Sequence, residues 1–238
     1  MRQFARILAL SLLLLLLTVF TAQGLGVSFS YFLPRNGIFS HPVPPLSVRD
    51  VGIDIGNYLG IAGSLSLYSI RGMGIKDSGG EPIDTGGSLV GPFLSVLGSI
   101  TGKIRVPVNN WEIEAGGGIF GCYNIDPPLV TGTLDRYLAA ATPADSYEAV
   151  SSSVSSAGRW AWGWVFGGKA TYFVMGQLGI AVGANYYLGG GDLNMSGSYD
   201  AYDAGIQVLD NEPLPINLQN ARLDYSGLEI VLGVEIAL

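Results

Sequence analysis

The sequence has few charged residues and hardly any of the groups that usually build catalytic or metal sites. Charged side chains make up 13% of the 238 residues, about half of the roughly 25% that ordinary soluble domains carry. There is one histidine, His41, and one cysteine, Cys122, so the chain cannot form an internal disulfide. No recognisable nucleophile stands beside His41, and we therefore expect no enzymatic activity and no cofactor.

Basic residues are also scarce, which excludes one class of function. The chain has 12 Lys and Arg against 19 Asp and Glu, giving a formal net charge of −7. Proteins that bind nucleic acid need a basic surface to neutralise phosphates. We therefore expect no nucleic-acid partner.

Two of the basic residues belong to an N-terminal segment that resembles an export signal. Arg2 and Arg6 precede an apolar run from Ile7 to Ala22, and small residues follow it. This order is typical of a signal peptide, and the run is shorter than the ~20 residues that a spanning helix prefers. We predict that residues 1–23 are a signal peptide cleaved near 22–24, and that 24–238 form the mature domain; the rival is an uncleaved anchor helix.

No second apolar run is long enough for a membrane helix, whereas glycine is abundant. The chain has 35 glycines, about twice the usual share, which favours crowded strands over helices. Polar and apolar residues alternate in eight segments, each long enough to cross a bilayer as a tilted strand of about 10 residues. The predicted strands are 24–33, 47–56, 59–71, 91–106, 111–123, 159–172, 176–188 and 220–238.

The connections between these strands alternate in length. Short links follow the second, fourth and sixth strands, at Asn57-Tyr58, at Asn109-Asn110 and around Phe173 to Met175. The links 34–46, 72–90, 124–158 and 189–219 are long. Such alternation is typical of outer-membrane barrels, which have short periplasmic turns and long outer loops. The sequence therefore predicts an all-β fold: an eight-stranded antiparallel up-and-down transmembrane β-barrel in the bacterial outer membrane.

The two faces of the predicted strands differ in a way that assigns the inside of the barrel. In the last strand Leu228, Ile230 and Leu232 share one face, while Glu229 and Gly233 share the other. The polar face is also the face with small residues, as expected in the narrow interior of eight strands. We predict a largely filled polar lumen that holds Asp54, Lys103, Arg105, Glu112, Glu114, Lys169, Glu229 and Glu235.

The hairpin around Asn109 brings opposite charges together in either of two registers. A turn at Val108-Asn109 sets Arg105 opposite Glu112, and a turn at Asn109-Asn110 sets Arg105 opposite Glu114. Both registers leave opposite charges adjacent, which stabilises the hairpin and lowers the cost of buried charge.

Aromatic residues concentrate near both ends of the predicted strands. Trp and Tyr prefer the two membrane interfaces, so we predict two aromatic girdles. Their members are Tyr31, Tyr58, Trp111, Trp160, Trp162, Trp164, Tyr172 and Tyr186. The alternative is a tryptophan cluster in the core of a soluble β-sandwich.

One segment has the spacing of a calcium-binding loop. Its oxygen-bearing side chains occupy positions 1, 3, 5, 9 and 12 of an EF-hand pattern, with Gly197 at position 6; they are Asp192, Asn194, Ser196, Asp200 and Asp203. Position 12 lacks the usual Glu and no helix pattern flanks the segment. The competing interpretation is an acidic, solvated loop.

The strand count, the link pattern and the girdles resemble the small eight-stranded outer-membrane barrels of diderm bacteria, the OmpA-like, OmpX-like and OmpW-like group. The resemblance implies a monomer in outer-membrane lipid that is inserted by the barrel-insertion machinery. One departure is the C-terminus, because the group usually ends in an aromatic residue and this chain ends in Leu238. The expected function is a non-enzymatic, structural or surface-exposed role. One alternative is an OmpW-like narrow channel for small or hydrophobic solutes. The other is binding of host surfaces or extracellular ligands through the loops.

Overall fold

The computed structural model describes residues 24–38, 41–55, 58–141 and 147–237, so the predicted signal peptide and its cleavage region lie outside it. Elements are numbered here in chain order as β1 to β16 and α1 to α2. Within the described ranges, no helix has both the length and the apolar character needed to span a membrane.

Eight long strands form a closed cylinder. Each strand pairs antiparallel with the next long strand along the chain, and the last strand pairs with the first from Gly24↔Ala237 to Pro34↔Gly227. The predicted eight-stranded antiparallel up-and-down barrel is therefore confirmed. The barrel strands are β1 (Gly24–Pro34), β3 (His41–Ile55), β4 (Leu59–Ile70), β8 (Phe93–Val108), β9 (Trp111–Ile125), β11 (Trp160–Met175), β12 (Leu178–Asp192) and β16 (Gly227–Ala237).

The β8–β9 turn selects one of the two predicted registers. Val108 pairs with Trp111 and Arg105 pairs with Glu114, so the turn consists of Asn109 and Asn110. Asn109 has a φ of 55°, a left-handed conformation that asparagine tolerates better than most residues. The β11–β12 turn lies slightly later than predicted, because β11 continues to Met175 and the turn is made by Gly176 and Gln177.

The wall of the barrel has an apolar outer face and a small, polar inner face. On β8, Ile100 and Ile104 point outward and are 60% and 57% exposed. On the inner face of β9, a Cβ added to Gly118 would lie 2.0 Å from the carbonyl oxygen of Ile100. Glycine is required there because the neighbouring backbone approaches too closely for any side chain.

The long connections are more ordered than the predicted loops. They contain a three-stranded sheet of β10 (Ala149–Ser156), β13 (Met195–Asp203) and β14 (Ile206–Pro213), and the helices α1 (Thr131–Ala141) and α2 (Ile216–Gln219). Short strands complete them: β2 (Gly37–Ile38), β5 (Gly72–Met73), β6 (Ile75–Lys76), β7 (Pro82–Ile83) and β15 (Arg222–Asp224).

These elements form one compact body, which we call the cap. The apolar core of the cap is continuous with buried side chains of the barrel, and three of the long connections contribute side chains that are almost fully buried: Met73, Ile75, Leu89, Val90, Leu134, Leu138, Leu193, Met195, Leu214 and Leu218. One edge of its sheet is covered, because Asp135 of α1 accepts a hydrogen bond of 3.1 Å from the backbone N–H of Ser152 in β10.

Two strand boundaries differ from the prediction by several residues. The first link is shorter than 34–46, because β3 begins at His41, which pairs with Ser69 of β4. The predicted last strand 220–238 is split into β15 and β16. Strand β12 pairs with β16 up to Tyr187↔Gly227 and then with β15 from Gly190↔Asp224 onward.

Candidate functional site

The interior of the barrel contains a network of ten charged side chains. It includes all eight predicted lumen residues and two more, and each of the ten contacts an opposite charge. The four basic residues are Arg49, Lys103, Arg105 and Lys169, and the six acidic residues are Asp50, Asp54, Glu112, Glu114, Glu229 and Glu235.

Lys169 of β11 is the centre of the lower part of the network, on the side of the short turns. Its Nζ lies 2.7 Å from Glu235, 2.9 Å from Asp50 and 3.0 Å from Glu114. Lys103 of β8 contacts Glu114 at 2.8 Å and Asp50 at 3.4 Å. Two ammonium groups thus share three carboxylates, and this sharing offsets the cost of removing all five charges from water.

Arg105 continues the network toward the short turns. It lies 2.7 Å from Asp54 and 3.1 Å from both Glu112 and Glu114. The contacts of both predicted hairpin registers are therefore present at once, because a guanidinium can reach the residue opposite and its neighbour on the same face.

Glu229 of β16 is the centre of the upper part of the network. Its carboxylate is fully buried and forms an ion pair with Arg49 and a hydrogen bond with the hydroxyl of Tyr68. It also accepts hydrogen bonds from the Asn185 amide at 2.7 Å and the Tyr187 hydroxyl at 2.9 Å. These four donors compensate one charge in a site that excludes water.

The sequence prediction missed Arg49 and Asp50, although alternation from Asp54 places Asp50 on the same inward row. Strict alternation allows only one of two neighbours to face inward. In the structure Val48 pairs with Leu65 and Val51 with Gly63, so β3 contains one extra residue at this point. This β-bulge, in which Asp50 has a φ of 60°, turns both side chains inward. Two adjacent charges in a predicted spanning strand were the available signal, since neither can face lipid.

Side-chain hydrogen bonds reinforce the wall next to the bulge. Strands β1 and β3 share three backbone residue pairs, from Gly26↔Arg49 to Ser28↔Ser47. Polar side chains add to this short ladder inside the barrel. Arg49 donates to Ser28 at 2.9 Å, and the hydroxyls of Ser30 and Ser47 are 3.0 Å apart.

A cavity of about 90 Å³ lies between the two parts of the network. Its polar lining includes Arg49, Asp50, Lys103, Glu114, Lys169 and Asn185. A polar cavity of this size can hold several water molecules.

A cluster of aromatic rings lies above Glu229, beneath the cap. The Phe32 ring lies 5.8 Å from that of Tyr187, and the Phe120 ring lies 5.1 Å from that of Tyr187. Tyr225, between β15 and β16, stacks on Phe32 at 6.3 Å, and its hydroxyl lies 2.8 Å from Ser95. Burial raises the pKa of Tyr225 well above its ordinary range, so this phenol stays neutral.

The eight predicted girdle residues all lie on the outer surface. Trp160 and Trp162 are each 66% exposed, and the others are also exposed: Tyr31, Tyr58, Trp111, Trp164, Tyr172 and Tyr186. They form contacts at both ends of the wall. Trp111 lies 5.0 Å from Tyr172 near the short turns, and Trp160 lies 4.8 Å from Tyr123 near the cap. Their role as membrane anchors stays a prediction.

The structure does not bring the calcium-loop candidates together. Ser196, Asp200 and Asp203 lie along the extended strand β13, whereas an EF-hand requires a tight loop. Asp192 is paired with Arg222, and Asp200 accepts a hydrogen bond from the backbone of Asn211. The candidate Asn194 has a φ of 49° between β12 and β13. Within the described ranges, no group of three or more His, Cys, Asp or Glu side chains is arranged to hold a metal ion.

The closed antiparallel barrel, apolar outside and charged inside, has the architecture of small outer-membrane β-barrel proteins. The sequence itself matches no family model and no curated protein. Among solved structures it is similar to the outer membrane protein OprG from Pseudomonas aeruginosa, with a TM-score of 0.50, 10% identity, and coverage of 90% of this chain and 95% of that one.

Two further structures are similar at lower scores. A major outer membrane protein from Thermus thermophilus has 16% identity and a TM-score of 0.40, covering 90% of this chain and 98% of that one. Outer Membrane Protein W of E. coli has 10% identity and a TM-score of 0.30, covering 91% and 98%. The chain therefore has the fold of a small outer-membrane β-barrel.

Proposed function

We propose that this chain is a monomeric, non-enzymatic protein of the bacterial outer membrane with a closed lumen, and that it displays its cap on the cell surface. The observation that carries the proposal is the arrangement across the lumen. Three successive layers of side chains lie across the described part of the barrel: the lysine-centred ion pairs, the Glu229 network and the aromatic rings above it.

The lumen favours this function over a channel for small or hydrophobic solutes. A conducting path needs charges that can face water, whereas here the side chains of Glu114, Glu229 and Lys169 are 5%, 0% and 14% exposed. Two of these groups, Glu114 and Lys169, line the cavity of about 90 Å³. Opening a path would separate buried ion pairs, and breaking one such pair costs about 3–5 kcal/mol.

The two ends of the barrel support the proposed orientation. The short turns contain no charged residue, as the sequences Gly56-Asn57-Tyr58, Asn109-Asn110 and Gly176-Gln177 show. The opposite end carries the cap with its acidic side chains. Large, charged outer loops and small periplasmic turns are the usual arrangement in outer-membrane barrels.

Single-channel recording in planar bilayers tests the closed lumen. We expect no stable conductance steps from the full mature chain, provided that its folding is verified by altered gel mobility on boiling. The variant Arg49→Ala/Glu229→Ala removes both charges of the upper pair and is the comparison, because it should show openings that the parent lacks. Discrete, long-lived openings of the parent would contradict the closed lumen.

Cell fractionation and protease treatment test location and display separately. The protein should be in the outer-membrane fraction, and a tag inserted at Gly205, in the β13–β14 turn, should be cleaved on intact cells. Recovery from the soluble periplasmic fraction would refute the membrane location. A tag that is cut only after the cells are broken would refute surface display.

A further inference from the structure

One side of the outer wall continues past the barrel into the cap. Strands β11 and β12 are extended by β10 and β13, which pair with each other from Ala149↔Tyr202 to Ser156↔Met195. The outward row of β12, which includes Leu188 and Asp192, continues on β13 as Ser196, Ser198 and Asp200. On the other strand a bulge at Ala157 and Gly158, whose N–H groups both donate to Leu193, keeps the outward faces aligned.

The outward face of this extension is rich in hydroxyl groups. Cross-strand partners share a face, and the pairs are Ser155↔Ser196, Ser153↔Ser198 and Ser151↔Asp200. The opposite face of the same sheet is different, because Met195 and Ala201 are buried there against the core of the cap. Strand β10 also has Ser152 and Ser156 on that opposite face, whereas Ser151, Ser153 and Ser155 are the serines of β10 that are exposed on the outward face.

Two arginines lie between the hydroxyl face and the tryptophans. Arg159 directly precedes Trp160, and its side chain is 52% exposed and lies 2.9 Å from Asp126. Arg222 lies 2.9 Å from Asp192 with its side chain 32% exposed, but its Nε is not aligned for a hydrogen bond. Both arginines, each paired with an exposed carboxylate, thus lie at the level where the apolar wall ends.

Three kinds of chemistry thus follow one another along a single wall: the exposed Trp160, Trp162 and Trp164, then Arg159 and Arg222, then the serine face. A phosphorylated glycolipid offers acyl chains, phosphates and sugars in the same order. Aromatic rings prefer the acyl–headgroup boundary, arginine binds phosphate with its fork of donors, and hydroxyl groups donate to and accept from sugar hydroxyls.

We propose that this wall binds the phosphorylated sugar headgroup of an outer-leaflet glycolipid. The wall is the surface formed by Trp160, Arg159, Arg222 and the outward serines of β10 and β13. The proposal rests on the outer-membrane location proposed above, and it deepens that function by naming a lipid class and the residues that select it. Arg159 recognises phosphate, and the serine face recognises the sugars that extend beyond it.

The test uses the full mature chain, folded in detergent and checked by heat-modifiable mobility before each titration. Native mass spectrometry measures binding of three lipids in the same detergent: a short-core lipopolysaccharide, its lipid A and phosphatidylglycerol. We expect lipopolysaccharide to bind more tightly than lipid A, and lipid A more tightly than phosphatidylglycerol. The difference in affinity between lipopolysaccharide and lipid A measures the contribution of the core sugars. The difference between lipid A and phosphatidylglycerol measures the contribution of the phosphorylated glucosamine headgroup relative to a simple anionic lipid.

Variants assign the two parts of the surface. Arg159→Glu should weaken binding of lipopolysaccharide and lipid A alike, by about tenfold, because a surface charge is reversed. The triple variant Ser151→Ala/Ser153→Ala/Ser155→Ala should weaken lipopolysaccharide binding and leave lipid A binding unchanged. The matched control is Arg136→Glu, because Arg136 is exposed on α1, which packs on the other face of the sheet, and donates only within the cap.

Three results would overturn the proposal: equal affinity for all three lipids, equal effects of Arg159→Glu and Arg136→Glu, or unchanged lipopolysaccharide binding by the triple serine variant. None of these depends on where the protein resides in the cell. A failed fractionation experiment would instead refute the proposed location while leaving the measured affinities in place.

Discussion

Replacing Lys169 by methionine should be the most damaging single change in the lower lumen. Methionine has a similar length but no charge, so the substitution removes the ammonium group and leaves the volume nearly filled. Lys169 lies within 3.0 Å of three carboxylates. Among the ion pairs of the described residues, it is the only basic partner of Glu235, whose side chain is 7% exposed.

The size of the effect follows from these contacts. Removing one partner of a buried ion pair costs about 3–5 kcal/mol, because the other charge is left uncompensated. After Lys169→Met, Glu235 retains the hydroxyl of Thr171 at 2.9 Å, which is a weaker partner than an ammonium group. Adding Glu235→Gln removes the uncompensated charge and keeps an acceptor for Thr171. The double variant should recover about 2 kcal/mol relative to the sum of the two single variants.

Lys103→Met is the matched control, since it makes the same substitution at the same cluster. Lys103 contacts Glu114 and Asp50, but both carboxylates keep Lys169, and Glu114 also keeps Arg105. The expected cost is about 1–2 kcal/mol, because no carboxylate loses its last basic partner. Equilibrium urea unfolding in lipid vesicles, followed by tryptophan fluorescence and gel mobility, measures the parent and the four variants Lys169→Met, Glu235→Gln, Lys169→Met/Glu235→Gln and Lys103→Met. A Lys103→Met cost equal to that of Lys169→Met, or additive effects in the double variant, would refute the reasoning.

Three further predictions address the wall and the cap side of the lumen. Ile100→Arg places a charge on the outer face near mid-height and should destabilise the inserted barrel by about 2–4 kcal/mol. Ile104→Arg, at a similarly exposed position four residues nearer the turn, should destabilise the barrel clearly less. Equal destabilisation by the two variants in vesicle unfolding would argue against a membrane around this wall. Gly118→Ala should cost about 1–3 kcal/mol by overpacking, whereas Gly121→Ala, where an added Cβ meets nothing within 4 Å, should be near neutral in the same assay. Cys122 is 1% exposed and its thiol lies 2.7 Å from Ser95. It should therefore resist a maleimide reagent in the folded protein and react after unfolding. Rapid labelling of the folded protein would show that the upper lumen is open.

The barrel could be predicted from the sequence because two independent patterns agree. Alternation along each strand distinguishes a small, polar face from an apolar face, and alternating link lengths give the order of the strands. The same alternation identified Lys103, Glu114 and Glu229 as interior groups, because a charge on the outer face would be costly. Strand ends were less accurate where the strands change partner, as at the β15–β16 junction.

The cap and the bulge could not be read from that pattern, because each breaks a periodicity. The extra residue in β3 shifts the inward row from Ser47 and Arg49 to Asp50 and Asp54. The connection 124–158, which we predicted to be a loop, contains the helix α1. Its buried residues Leu134 and Leu138 are four positions apart, and this spacing was a helix signal available in the sequence. The calcium spacing was misleading because pairing with β10, which buries Met195 and Ala201, extends the segment as a strand.

The contact between Asp135 and β10 affects how readily copies of the protein can associate through the edges of this sheet. A sheet that projects from a membrane into a crowded layer meets other copies at high lateral density, and an open strand edge is a template for another strand. The Asp135 carboxylate occupies one of the donors on the β10 edge. The β14 edge is irregular, because its pairing with β13 shifts register at Tyr199 and Ala201. Each border of the sheet therefore has a feature that makes continuous addition of another strand less favourable.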